Sequence, residues 1–388
     1  MENSFEKIIK KERLQIPNYN KENIIDVVRL VYNYCGMNYK ETSSMKKLKQ
    51  YIINKKHIVL ILVDGMGSDL LNKMPNKGLF YNNKKTDIQT VFPTATGCVL
   101  TSVATAKYPS STGIFGWYGY NKILDLNYYT LLTKERKSND DLKINLKKIF
   151  KHQGVLNNLK RKTNVIQPNH LLNSQYTRFF FSDEIRKGYS DYDEMIELIK
   201  KDINSEESTF TYLYIPFVDT LEHQNSPYSE IVYDEVSKIE KSIQKLTPLS
   251  HDTEIIVIAD HGQIPVNELV YMDLNKYDKY FYAYPAIDTG TSTFYIKKGM
   301  EKQFEKEFRK DFDDKLLLFR KEDFIENKMF GKRMTKYAND SLGEYISLCK
   351  KNIAFYSEYN EANVSIKGNH TGLSSEELII PLIVLNNN

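Results

Sequence analysis

Three runs of apolar, β-branched residues in this chain break off abruptly at an aspartate. They are Ile58–Gly67 (IVLILVDGMG), Tyr212–His223 (YLYIPFVDTLEH) and Glu254–Gly262 (EIIVIADHG), where the acid is followed by Gly, by Thr and by His-Gly. Each run reads as a strand, and in an open α/β sheet ligands bind at the carboxyl ends of strands. Acids placed there constrain the fold and the chemistry together. Two further segments extend the pattern: Val91–Thr105 (VFPTATGCVLTSVAT), and Gly368–Leu385 (GNHTGLSSEELIIPLIVL), which adds one more histidine. Jointly the five carry the ligands that a two-metal phosphate site requires.

The stretches between these strands read as helices. Val99, Val103 and Ala106 recur at helical spacing, so a helix is expected from about Gly97 to Ala106, with Tyr108-Pro109 ending it. Lys143–Leu159 reads as an amphipathic helix, followed by a short strand at Thr163–Ile166. Asp191–Ile203 reads as a helix, Thr209–Ile215 as a strand, and Pro227–Leu246 as a long helix. This alternation predicts an α/β fold with a mostly parallel central sheet and helices on both faces. The texture then changes to Tyr, Phe, Lys and Asp, with a strand-like Thr291–Ile296 and a helix-like Glu301–Phe312. The expected organisation is a helical segment over 1–50, a metal-binding core over 51–265, an inserted smaller α+β subdomain over 266–365, and a return to the core over 366–388.

At 388 residues, 41% of them apolar, the chain is long enough for such a core and insert. Its 54 basic and 50 acidic residues nearly cancel to +4, and no basic run stands out, so nucleic acid is not indicated as a partner. No stretch approaches the roughly 18 apolar residues of a membrane span, and the charged amino terminus has no apolar signal region. Cys35, Cys98 and Cys349 are odd in number and far apart, which favours free thiols in a reducing cytoplasm over a disulfide framework.

The chemistry lies in six residues. Asp64, Asp219 and Asp260 stand at strand ends, where hard carboxylate oxygens suit divalent ions. His223 lies one helical turn beyond Asp219, His261 follows Asp260, and His370 sits in a Gly-flanked loop. Taken singly, each acid could be a helix cap and each histidine a packed core residue. Three Asp and three His in these positions make a metal site the better joint reading, and mixed His/Asp ligation favours Zn²⁺ or Mn²⁺ over Mg²⁺. His57, His152, His170 and His251 lack such partners and read as structural. Thr96 opens the helix after FPTA, where unpaired N–H groups favour an anion. Alone, Thr96 or Thr94 reads as an N-cap; beside a two-metal site, Thr96 reads as a nucleophile that a metal could activate. Trp117, Tyr118 and Tyr120, after the Gly113-Ile114 turn, could stack a flat group or merely pack the loop.

Through VDGMG, FPTATGCVLTSVATAKYPSSTGIFGW, FVDTLEH, ADHG and GNHTGLSSEELIIPLIVL, the chain resembles the type I phosphodiesterase/nucleotide pyrophosphatase branch of the alkaline phosphatase superfamily. The Gly116-Trp117 pair, and Gly97-Cys98-Val99 in place of Phe-Pro-Asn-His, are closer to bacterial members. The resemblance implies a dinuclear site, with Asp64, Thr96, Asp260 and His261 on one ion and Asp219, His223 and His370 on the other. It implies in-line attack by Thr96, a phospho-threonine intermediate, and a small phosphate ester or nucleotide as substrate. Gly97, Trp117 and Tyr118 are the expected substrate contacts. The alternatives are a phosphomonoesterase or phosphonate hydrolase on the same site, or a catalytically quiet interaction module. The sulfatase branch is disfavoured, because no Cys/Ser-x-Pro-x-Arg segment exists to carry its modified nucleophile.

Overall fold

The computed structural model describes residues 4–357 and 366–387. Its central sheet has seven strands in the order Lys84–Gln89, Ile379–Asn386, Thr253–Ile258, His57–Val63, Thr209–Ile215, Lys162–Pro168 and Arg186–Tyr189. The last five run parallel. Ile379–Asn386 returns antiparallel to both of its neighbours. Every residue of His57–Val63, Thr209–Ile215 and Thr253–Ile258 is buried, as unbroken apolar runs in a two-faced sheet demand. The fold class is therefore the expected one, with helices covering the sheet.

A second seven-stranded sheet lies over the carboxyl edge of the first. Its order is Leu316–Arg320, Tyr345–Cys349, Thr291–Ile296, Phe281–Ile287, Tyr118–Asn121, Leu126–Tyr129 and Lys134–Glu135. The three strands from 118–135 thus join strands from the region after residue 266, a long-range pairing that no local pattern announces. Phe304, Phe308 and Phe312 of the Glu301–Phe312 helix fill a separate aromatic core with Phe294, Tyr345 and Phe355.

Several expectations need correction. Lys143–Leu159 is not a helix: it holds only two 3₁₀ turns, Leu146–Lys148 and Leu156–Asn158. Gly154 lies so close to Phe180 that a Cβ there would meet its carbonyl at 2.0 Å, and the Val155 N–H is spent on Ala104 O. Tertiary contacts therefore override the helical spacing. Residues 4–48 form three short helices, Ser4–Lys11, Ile24–Tyr34 and Ser43–Leu48, because Asn23 and Thr42 each cap a new start. The helix after FPTA spans Thr96–Thr105 and is stopped by Ala106 in the left-handed region (φ 53°), so Pro109 opens the next helix instead of ending this one.

Candidate active site

The Thr96–Thr105 helix is buried although it is rich in hydroxyls. Thr101, Ser102 and Thr105 each donate to the carbonyl four residues back, at 2.7–2.8 Å, so their polarity is satisfied inside the helix. Neither candidate threonine caps it. The N-cap is Ala95, and Thr94 donates instead to Gly372 O at 3.0 Å, tying the helix entrance to the His370 loop. Thr96 is left half-exposed at the first helical position, its Oγ1 3.1 Å from His261 Nε2.

The acids gather around that hydroxyl. Asp64 directly follows strand His57–Val63, and Gly65 behind it sits at φ 79°, where a Cβ would strike Glu222. Asp260 Oδ1 accepts the Gly65 and His261 N–H groups at 3.0 and 2.9 Å, locking the two strand ends together. Gly262 is not in the left-handed region; it is needed because a Cβ there would meet Glu376 O at 2.2 Å. Asp219 and His223 share one face of helix Phe217–Asn225, with His223 Nε2 3.4 Å from Asp219 Oδ1. Gln263 Nε2 donates to the same Oδ1 at 2.5 Å. The His370 ring stacks on His261 at 4.0 Å and its Nε2 lies 3.8 Å from Asp219.

Two triads bring their ligand atoms within 4.8 Å of one another: Asp64, Asp260 and His261, and Asp219, His261 and His370. His261 belongs to both, while His223 approaches only through Asp219. Asp64 Oδ1 and Asp260 Oδ2 are buried with no hydrogen-bond partner. Orphaned carboxylate oxygens are costly to bury, and a divalent cation is the species that would satisfy both. The histidines are set for the same role. His223 Nδ1 faces Gly368 O and His370 Nδ1 faces Thr94 O, both at 2.8 Å, which leaves each Nε2 for a ligand. Burial lowers His261 to about 4 and His370 to about 3, so both present the neutral imidazole that metals bind. Burial, then Asp260 and Asp219, pushes Asp64 well above the usual carboxylate range. Burial also opposes charge on His223 and Asp219, but their mutual attraction wins, raising His223 to about 9 and lowering Asp219. The residues fit metal ions.

The cluster floors a cleft of about 670 Å³ whose walls include Gly97, Trp117, Tyr118, Phe217 and Tyr356. Tyr120 is absent from it, buried against Tyr295.

A sequence profile of the type I phosphodiesterase / nucleotide pyrophosphatase family matches residues 58–372. The chain belongs to this family. It is thereby a member of the alkaline phosphatase superfamily, and its family is one of phosphoester hydrolases that are generally dinuclear. A search of curated protein sequences finds no match. Among solved structures, murine ectonucleotide pyrophosphatase/phosphodiesterase 5 is similar, with a TM-score of 0.64 at 16% identity over 85% of this chain and 88% of that one. The human protein of the same name gives 0.64 at 17% identity over 85% and 87%. Phosphonoacetate hydrolase from Sinorhizobium meliloti 1021, in complex with phosphonoacetate, gives 0.60 at 12% identity over 84% and 89%. At these identities the likeness is one of fold.

Several residues around the site went unread in the sequence. Tyr214 donates to Asp64 Oδ2, and its place two residues after Tyr212 on one strand face was the available signal. Glu222 is fully buried between Asp219 and Asp260, with neither carboxylate oxygen hydrogen-bonded. His170, read as structural, stands exposed on the cleft wall. His57 and His152 are structural as expected, facing Thr209 Oγ1 and Ser111 O.

Proposed function

We propose that this chain is a two-metal phosphodiesterase or nucleotide pyrophosphatase acting through Thr96. The observation that carries the reading is a half-exposed threonine hydroxyl at a helix N-terminus, facing a cluster of Asp and His that holds two orphaned carboxylate oxygens. Asp64, Asp260 and His261 would hold one ion beside Thr96, and Asp219, His223 and His370 the other, most plausibly as Zn²⁺ or Mn²⁺ given the mixed ligands. Such ions, when bound, acidify hydroxyl and water and neutralise phosphoryl charge.

Thr96 Oγ attacks phosphorus in line, the bond to the leaving oxygen breaks, and the hydroxyl proton passes through solvent to that oxygen, which departs as the alcohol. Water then attacks phosphorus, the phosphorus–Oγ bond breaks, and threonine is restored. Gly97 lines the cleft in the first helical turn, where N–H groups lack an intrahelical partner, and its N–H would serve the developing oxyanion. Trp117 and Tyr118 wall the organic arm. The murine relative has been solved as an inactive threonine-to-alanine variant in complex with AMP, which agrees with a threonine nucleophile and a nucleotide-sized ligand. Three buried free cysteines fit a cytoplasmic setting, and among the described residues no helix is long and apolar enough to cross a membrane.

The same site could serve a monoester or, as the likeness to phosphonoacetate hydrolase suggests, a phosphonate. The cleft wall favours the diester, because none of the described residues lining it is Lys or Arg. A dianionic monoester wants extra cationic donors, whereas a diester carries one charge fewer and a second arm for the aromatic wall. We expect kcat/KM for bis-p-nitrophenyl phosphate to exceed that for p-nitrophenyl phosphate by at least about tenfold, roughly 1.4 kcal/mol, at one pH and metal content. A clear preference for the monoester would overturn the assignment.

A further inference from the structure

We propose that a side chamber of the metal cleft binds one organic arm of the diester, and that Gln167 selects a neutral arm carrying an amide-like edge. This rests on the phosphodiesterase reading above. The chamber, about 500 Å³, opens beside the cleft and shares Trp117, Leu131, His170, Leu171 and Tyr214 with it. An arm attached to phosphorus at Thr96 would enter it past these shared residues. Leu100, Leu132, Phe181 and Tyr212 add apolar wall, beside the neutral polar residues Thr133, Asn173, Ser174, Gln175 and Thr177. Its buried wall carries no charged side chain, and Asp141 stands exposed at the rim. A charged arm would lose its hydration there without a counter-ion, so the arm is neutral.

Gln167 is the buried amide in this wall. It is the penultimate residue of strand Lys162–Pro168, one residue past the Ile166–Leu213 pair, near the carboxyl edge where ligands bind. It is 5% exposed, yet its Nε2 donates to no protein atom. Four of the nearby hydroxyls bond among themselves: Tyr176 and Thr101 at 2.9 Å, and Ser174 and Thr177 at 3.0 Å. A buried donor left unpaired is costly, and a ligand carbonyl would satisfy it. A site built to hydrogen-bond its ligand also discriminates strongly against analogues that lack the group. The edge could belong to a pyrimidine ring or to an N-acyl chain, and both present a carbonyl beside an N–H.

The test uses three p-nitrophenyl diesters whose other arm is thymidine, N-acetylethanolamine or phenol. The intact enzyme should prefer thymidine or N-acetylethanolamine over phenol at least tenfold in kcat/KM, and whichever wins identifies the source of the edge. Gln167→Met, near-isosteric but without the donor, should reduce that preference at least tenfold. It should melt no lower than the parent, because removing an unpaired buried amide relieves a cost that a structural glutamine would not carry. Should the methionine variant fail to fold, Gln167→Leu removes the donor without introducing a charge or a new donor. Equal rates on all three esters, or a preference that survives the substitution, overturn the chamber proposal and leave the phosphodiesterase reading standing. No turnover of any ester sinks both.

Discussion

The two edges of the central sheet treat buried polar groups in opposite ways. At the amino edge they are paired. His57 meets Thr209 at 2.9 Å, both oxygens of Glu254 accept the Ile53 N–H, and Asp202 is held by Asn164 and Thr211 at 2.7 and 2.6 Å. At the carboxyl edge of the same strands, Asp64 Oδ1, Asp260 Oδ2, both oxygens of Glu222 and Gln167 Nε2 have no partner. This fold can satisfy a buried acid, as it does at Glu254 and Asp202. The orphans at the other edge are therefore prepared for a ligand, at a cost in stability that the empty protein bears.

The largest effect should come from the nucleophile. Thr96→Ala should lower kcat for a diester by at least ~10³-fold, about 4 kcal/mol, while the melting temperature stays near the parent's, because the half-exposed hydroxyl caps nothing. Thr94→Ala should show the converse, losing about 1 kcal/mol of stability with its bond to Gly372 and less than tenfold of rate. Parent-like turnover by Thr96→Ala would remove the covalent route.

How far the sequence alone reaches follows the same division. Strands Thr209–Ile215 and Thr291–Ile296 and helix Glu301–Phe312 were legible to the residue, because burial on two faces or one leaves a period in the chain. The six Asp and His residues stood out only as a group, since each acid alone could have been a helix cap; the structure brings five of them into two triads, with His223 beside Asp219. Lys143–Leu159 misled because its apolar residues, Ile149, Phe150 and Leu156, are buried by loop contacts that happen to mimic helical spacing. Tyr118–Asn121 was unread because its outer partner, Phe281–Ile287, lies more than a hundred residues on, and Leu126–Tyr129 joins the sheet only by pairing with Tyr118–Asn121 and Lys134–Glu135. Gln167 had no signature at all. A strand glutamine becomes informative only when the cavity it faces is known.

The amino edge can be probed by pH. Burial raises Glu254 to about 7 from its ordinary value near 4.5, against the Ile53 N–H and Asn386, which favour its charge. Its folded state holds the proton more tightly than the unfolded chain does. This group's contribution is therefore fully present below about pH 4.5 and is lost as pH rises through about 7. At ~1.4 kcal/mol per unit, the loss is on the order of 3 kcal/mol. Urea unfolding of parent and Glu254→Gln at pH 4.5 and 7.5, with chelator present, should show the variant losing less stability over that interval. Equal losses would mean that the carboxyl titrates normally and that the amino edge is less dry than its pairing suggests.

The smallest and sharpest contrast is Asp260→Asn. Its amide oxygen can still accept the Gly65 and His261 N–H groups, so the strand ends remain joined. What changes is the second atom: an unpaired carboxylate oxygen facing Asp64 becomes an N–H₂ that can donate to it. In chelator, the variant should melt above the parent by roughly 1–2 kcal/mol of stability, the cost of the orphan removed. Added Zn²⁺ should raise the parent's melting temperature and barely move the variant's, because ligand linkage stabilises only a fold that binds. The two curves should cross as metal is titrated in. If Asp260→Asn melts lower even without metal, the carboxylate is a structural group like Asp202, and the difference between the two edges of the sheet disappears.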